Sequence, residues 1–180
     1  MEEKLISKKK PFYGISKDLS LFLKKYDRWM DTPICYDDLL RFSGSVNVYD
    51  KNDKDTLWVR TYYSDSYRKE IDFNLKTIYT LLHSDGNISS LPDLNIDAID
   101  YCTFGNSKPF RIKIRNTLND NFTYFYLKKT DASRVYGLEF EHILSPYNLN
   151  YMVNNNTLVE EHISGIPGDV FIKDYLSDCT

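Results

Sequence analysis

Cysteine is scarce in this chain. There are three in 180 residues, Cys35, Cys102 and Cys179, and no CxxC pair among them. An odd number at such wide spacing supports neither a disulfide framework nor a zinc site. Long apolar runs are missing as well. Nothing approaches the length of a membrane span, and the charged N-terminus has no apolar h-region. The expected location is therefore the cytoplasm of a cell, or of an infected host. Glycosylation-type triplets at Asn87, Asn121 and Asn155 carry no weight without secretion. No serine stands in a nucleophile-elbow motif, no cysteine has a histidine beside it, and no catalytic set is complete. An excess of positive charge is also lacking. A net charge of −3 and a pI near 5.6 argue against a dedicated nucleic-acid binder. The exception is the run Lys4, Lys8, Lys9 and Lys10, which reads as a solvated basic tail over residues 1–15 and as the one expected point of contact with nucleic acid.

Aromatic residues are abundant, with 15 Tyr and 10 Phe. An AT-rich genome favours Tyr, Phe, Asn, Ile and Lys codons, and a virus or phage is a natural setting for such a composition. The hydrophobic fraction of 42% and charged fraction of 27% belong to a globular protein. The length suits one domain or a domain with an extension.

The pattern along the chain predicts an α+β fold with a mainly antiparallel sheet. Leu19, Phe22, Leu23, Tyr26 and Met30 recur at helical spacing, so Lys17 to Met30 reads as an amphipathic helix with Ser16 as its cap. A short helix follows over Tyr36 to Phe42, stopped by Gly44. The alternations Val46/Val48 and Leu57/Val59 predict a hairpin around Asp50 to Asp55. Asp65 to Leu82 is a long helix carrying Ile71, Leu75, Ile78 and Leu82 on one face. Asn87 to Asp97, with Pro92, reads as a loop separating a helical region with a hairpin (16–97) from a five-stranded unit (98–180), the two together also fitting one compact domain. In that unit Ile99–Phe104, Pro109–Arg115 and Phe122–Lys129 are strands, Ser133–Leu144 a helix, Leu149–Val153 and Thr157–Ile163 a second hairpin, and Asp169–Ser177 a short closing helix.

This β-β-β-α-β-β-α order over Ile99 to Ser177 resembles the small, nucleotide-binding lobe of the protein-kinase-like superfamily, in its aminoglycoside-, choline- and actin-fragmin-kinase branches. The resemblance implies phosphate contact at the turn containing Gly105 and a phosphate-gripping lysine at Lys128 or Lys129. It implies an ion-pair partner at Glu139 or Glu141 and a hinge that meets adenine at Glu160-Glu161-His162. ATP is the cofactor that this reading implies; apart from it none is expected. Lys128 and Lys129 lie on opposite faces of their strand, so only one of them can point toward the helix. The glycine-rich loop is reduced to Gly105. The chain stops at Thr180, where the family's large lobe with its catalytic loop and metal-binding aspartate begins, so the expectation is binding rather than phosphoryl transfer.

Glu139, Glu141, Glu160, Glu161, His142 and His162 do not form a metal site by sequence, because adjacent Glu and His side chains diverge on a helix or strand. The favoured expectation is a non-enzymatic interaction or assembly protein that binds another protein. Its contact residues are expected on the first helix, at Phe22, Tyr26, Trp29 and Met30.

Overall fold

The computed structural model describes residues 11–31, 34–83, 88–104, 107–166 and 168–176. The basic run Lys4, Lys8, Lys9 and Lys10, the turn glycine Gly105, and Cys179 fall outside those residues. In chain order the elements are α1 (Lys17–Lys25), α2 (Tyr36–Leu39), β1 (Gly44–Tyr49), β2 (Asp55–Tyr62) and α3 (Asp65–His83), then a 3-10 turn (Ile88–Asp93). After it come β3 (Leu94–Cys102), β4 (Phe110–Asn116), β5 (Phe122–Lys129), α4 (Ala132–Leu144), β6 (Tyr151–Asn154), β7 (Thr157–Glu161) and α5 (Gly168–Tyr175). The strands make one antiparallel sheet in the order β1-β2-β3-β4-β5-β7-β6. The expected α+β architecture is the one observed.

The first hairpin belongs to this sheet. Trp58, Val59 and Arg60 of β2 pair with Cys102, Tyr101 and Asp100 of β3. The stretch expected as a loop before residue 98 is short 3-10 helix followed by the first residues of β3. Pro92 sits inside the 3-10 turn, where its fixed φ is tolerated, and Leu94 and Ile96 are already buried in the core.

Strand alternation decides the layers. On one face of the sheet Ile99, Phe110, Ile112, Ile114, Phe125, Leu127 and Val159 are buried against Ile71, Leu75, Ile78 and Leu82 of α3. Each such side chain contributes roughly 2 kcal/mol when fully buried. Tyr36 and Leu39 of α2 close the end of this core. A second, smaller core lies on the opposite face. There Leu19 and Leu23 of α1 and Val135 and Leu138 of α4 meet Val153 and Leu158 of β6 and β7. Neither core extends over the outer face of β1 to β5, where Arg60, Arg111, Lys113 and Tyr124 stand half-buried.

Two local departures from the sequence reading have clear causes. The first helix ends at Lys25 rather than Met30. Asp27 takes the left-handed conformation (φ 57°), and the Arg28 amide donates back to the Leu23 carbonyl at 2.9 Å, the signature of a Schellman ending. Aspartate stands where glycine usually marks that stop, so periodicity overruns it. In β2, Leu57 also has a positive φ of 61° and lies beside a register shift between Val48 and Tyr49. The bulge turns Leu57 outward, and Trp58 and Arg60 occupy the outer face.

Candidate functional site

Helices α1 and α4 lie side by side over the β6–β7 hairpin, and local chemistry fixes both. Ser16 Oγ accepts from the Leu19 amide at 3.1 Å, and Asp131 Oδ1 accepts from the Arg134 amide at 3.1 Å, so each helix begins at a side-chain cap. The Ala132 amide donates to the Tyr13 carbonyl at 2.8 Å, which ties the segment before α1 to the start of α4. Beyond α1 the chain runs along the sheet edge. Met30 N donates to Val153 O at 2.9 Å and Val153 N donates to Arg28 O at 2.8 Å, a parallel bridge that covers β6. From that bridge Arg28 reaches Glu139 with one nitrogen on both carboxylate oxygens, at 3.0 and 2.9 Å. Tyr151 also donates its hydroxyl to Glu139. Burial, and then the Glu139 carboxylate, push the Tyr151 phenol far up from its usual range, so it stays a donor at any physiological pH.

With their inner faces occupied, α1 and α4 leave a groove between their outer faces. It is a cavity of about 330 Å³ lined by Asp18, Leu19, Phe22, Tyr136, Glu139, Phe140 and Ile143. Its walls are apolar and exposed: Phe22 is 40%, Phe140 61% and Ile143 74% accessible. The polar groups at its floor are already engaged or lie at the rim: Glu139 is held by Arg28, and Asp18 sits in the first turn of α1. Such a lining offers shape and apolar area with few free polar groups.

The residues expected to make a protein contact divide between surface and interior. Phe22 lines the groove, and the Tyr26 ring packs against it at a tilt of 49°, with centroids 4.7 Å apart. Trp29 is half-buried against the second core, with its indole N–H donating to Asp31 at 2.8 Å. Met30 is 1% exposed and belongs to the main core, which takes it out of any contact surface.

The residues expected to hold a nucleotide are dispersed. Gly105 lies outside the described residues. Lys128 takes Glu160 of β7 as its partner, and Arg134 shares the same carboxylate at 2.6 Å. Lys129 pairs with Asp37 at 3.3 Å, on the other side of its strand. Glu139 takes Arg28, and Glu141 sits half-buried on α4. Glu161 accepts from the backbone and side-chain nitrogens of Asn150 at 2.8 and 3.1 Å. Lys128 and Lys129 are thus balanced by carboxylates other than Glu139 and Glu141. Among the described residues no group of three His, Cys, Asp or Glu side chains is placed to hold a metal ion, and no helix is long and apolar enough to cross a membrane.

Tyr136, Phe140 and Ile143 were not singled out by sequence. The signal was there: α4 carries apolar side chains on both the Val135/Leu138 face and the Tyr136/Phe140/Ile143 face, and a helix apolar on two faces needs two partners. Comparison with protein-family models, curated proteins and solved structures finds no match for this chain.

Proposed function

We propose that this chain is a non-enzymatic protein-interaction module whose α1–α4 groove receives an amphipathic helix from a partner protein. The carrying observation is the convergence of exposed Phe22, Tyr136, Phe140 and Ile143 on one groove between two helices whose inner faces are already satisfied. Isolated exposed apolar residues are ordinary, whereas four that line one concavity mark a recognition surface. The groove fits a helix that presents apolar side chains at i, i+3 or i+4, with a cation at one end to meet Asp18. The separate partners of Lys128 (Glu160) and Glu139 (Arg28) weigh in the same direction, since a nucleotide site of the expected kind needs that lysine and that glutamate paired with each other.

Proximity labelling in cells of the native source identifies the partner, and purified proteins test it. Phe140→Asp and Ile143→Asp should weaken the purified complex at least tenfold, as expected when charge enters a desolvated anchor site, while Tm and circular dichroism stay unchanged. A synthetic helix from the partner should compete. If Phe22→Ala and both aspartate variants bind every purified partner as the parent does, the groove is not the interface. Concentration-dependent self-association abolished by the same variants would identify a second copy of this chain as the occupant.

A further inference from the structure

The outer face of β2 to β5 holds a second surface, of different chemistry, independent of the groove. We infer that this face binds single-stranded nucleic acid. Its charges are layered. Asp100 is only 2% exposed at the bottom of the face, where it accepts from Arg60 Nε at 3.0 Å and from Arg111 Nη2 at 2.9 Å. The Arg60 side chain above it is 42% exposed. Asp97 lies between Arg115 and Lys113, at 3.1 and 3.9 Å. Each of these two carboxylates is less exposed than the cations that hold it. Even with Asp120 at the rim counted, the four cations outnumber the carboxylates around them. A chain with a net charge of −3 therefore presents a locally positive face, and a global charge is a poor guide to a local field.

Aromatic rings are interleaved with these cations. The Arg111 guanidinium lies 4.4 Å from the Trp58 ring and 5.3 Å from that of Tyr124. Lys113 Nζ sits 4.1 Å from the Phe122 ring, and Tyr126 donates to or accepts from His162 Nδ1 at 3.1 Å. Unpaired bases stack on aromatic rings and guanidinium planes, while their phosphates seek exposed cations. At about 4.8 Å per strand, β2 to β5 spans roughly 14 Å, enough for two or three splayed nucleotides. A duplex hides its bases from such a platform.

The test is fluorescence anisotropy of the full chain with labelled dT12 and U12 oligonucleotides and a labelled duplex, over a range of salt concentrations, with variants checked by circular dichroism and Tm. Binding of one or both single strands should exceed duplex binding at least fivefold, and the dT12 and U12 arms separate DNA from RNA. Lys113→Glu should weaken binding about tenfold and flatten the salt slope, because one fewer counterion is released. Trp58→Phe, which keeps a ring and guards the fold, should retain most of the affinity, whereas Trp58→Ala should lose about tenfold with the salt slope unchanged. Lys69→Glu, on the exposed side of α3, and a Lys8, Lys9, Lys10→Ala variant should bind as the parent does. Loss of binding in the triple variant alone would assign the activity to the N-terminal run and overturn the inference. So would equal affinity for duplex, heparin or anionic phosphatidylserine vesicles, or an absence of binding at low salt.

Discussion

The two ends of the sheet's outer face make a natural experiment. Over β6 and β7, α1 and α4 cover the face, and nearly every residue of those strands is buried, on both sides: the patterns run Tyr151-Met152-Val153 and Thr157-Leu158-Val159-Glu160. Over β4 and β5 nothing from either core covers it, and along β4 buried and half-buried residues alternate, Phe110-Arg111-Ile112-Lys113-Ile114. The same sheet is thus buried on both faces at one end and two-sided at the other. Covering a face favours a nearly continuous apolar run, in which the buried Glu160 is held by Lys128 and Arg134, and leaving it open permits alternate positions to carry charge. The proposed protein contact lies on top of the covering helices and the proposed nucleic-acid contact on the open strands, so the two need not compete.

Substitutions can break this contrast. The largest effect is expected at the covered end, where Leu158→Ala should cost about 3 kcal/mol in urea unfolding through lost burial and an unfilled cavity. The matching change on the open face, Lys113→Ala, should stay within about 0.5 kcal/mol. Glu139→Ala should come next. It strands Arg28, which keeps some access to water, so a loss of about 2 kcal/mol is expected rather than the larger penalty of a fully buried pair. Amide exchange at Met30 and Val153 should quicken in the same variant, because the edge bridge loses its tether.

Acid sharpens the comparison from the other side. Burial alone would raise the Asp97 carboxyl, but hydrogen bonds from Arg115 and Asn95 and the charges of Arg115 and Lys113 outweigh it and hold the group below its ordinary 3.8. Asp97 is therefore harder to protonate in the folded chain than in the unfolded one. Its stabilising contribution is complete above pH 3.8, and it disappears as pH falls through the lower folded value. Asp97→Asn should remove that segment of the acid-unfolding curve, and an unchanged curve would show the open-face ion pairs to be energetically silent. The smallest change is expected at Asp27, where glycine relieves the left-handed backbone. Asp27→Gly should gain about 0.5 kcal/mol, and a loss instead would mean the aspartate side chain has a role of its own.

Much of the framework was legible. Alternation located β4 and β5, helical spacing located α3 with its buried stripe, and Ser16 announced α1 correctly. Three kinds of information were not on the surface of the sequence. Backbone stops written with the wrong residue, such as Asp27, mislead periodicity. Cross-strand partnership depends on register, so Lys128 matched with Glu160 rather than with Glu139, and Arg60 found Asp100 forty residues away. A groove requires two helices to be placed, and the surplus apolar face of α4 became meaningful only once Leu19 and Leu23 had brought α1 alongside. The local positive face was hidden for the same reason, since its cations come from two strands, β2 and β4, and their partners Asp97 and Asp100 from β3 between them.

The edge bridge between Arg28–Met30 and Val153 also sets a timetable. A chain made from its N-terminus completes α1 long before β6 exists, and the Arg28–Glu139 pair closes a span of 111 residues. At a synthesis rate of about 5–20 residues per second, α1 waits on the order of ten seconds for the hairpin that it will cover. During that interval Leu19 and Leu23 lack the α4 and hairpin side chains that bury them, and they stay open to a chaperone.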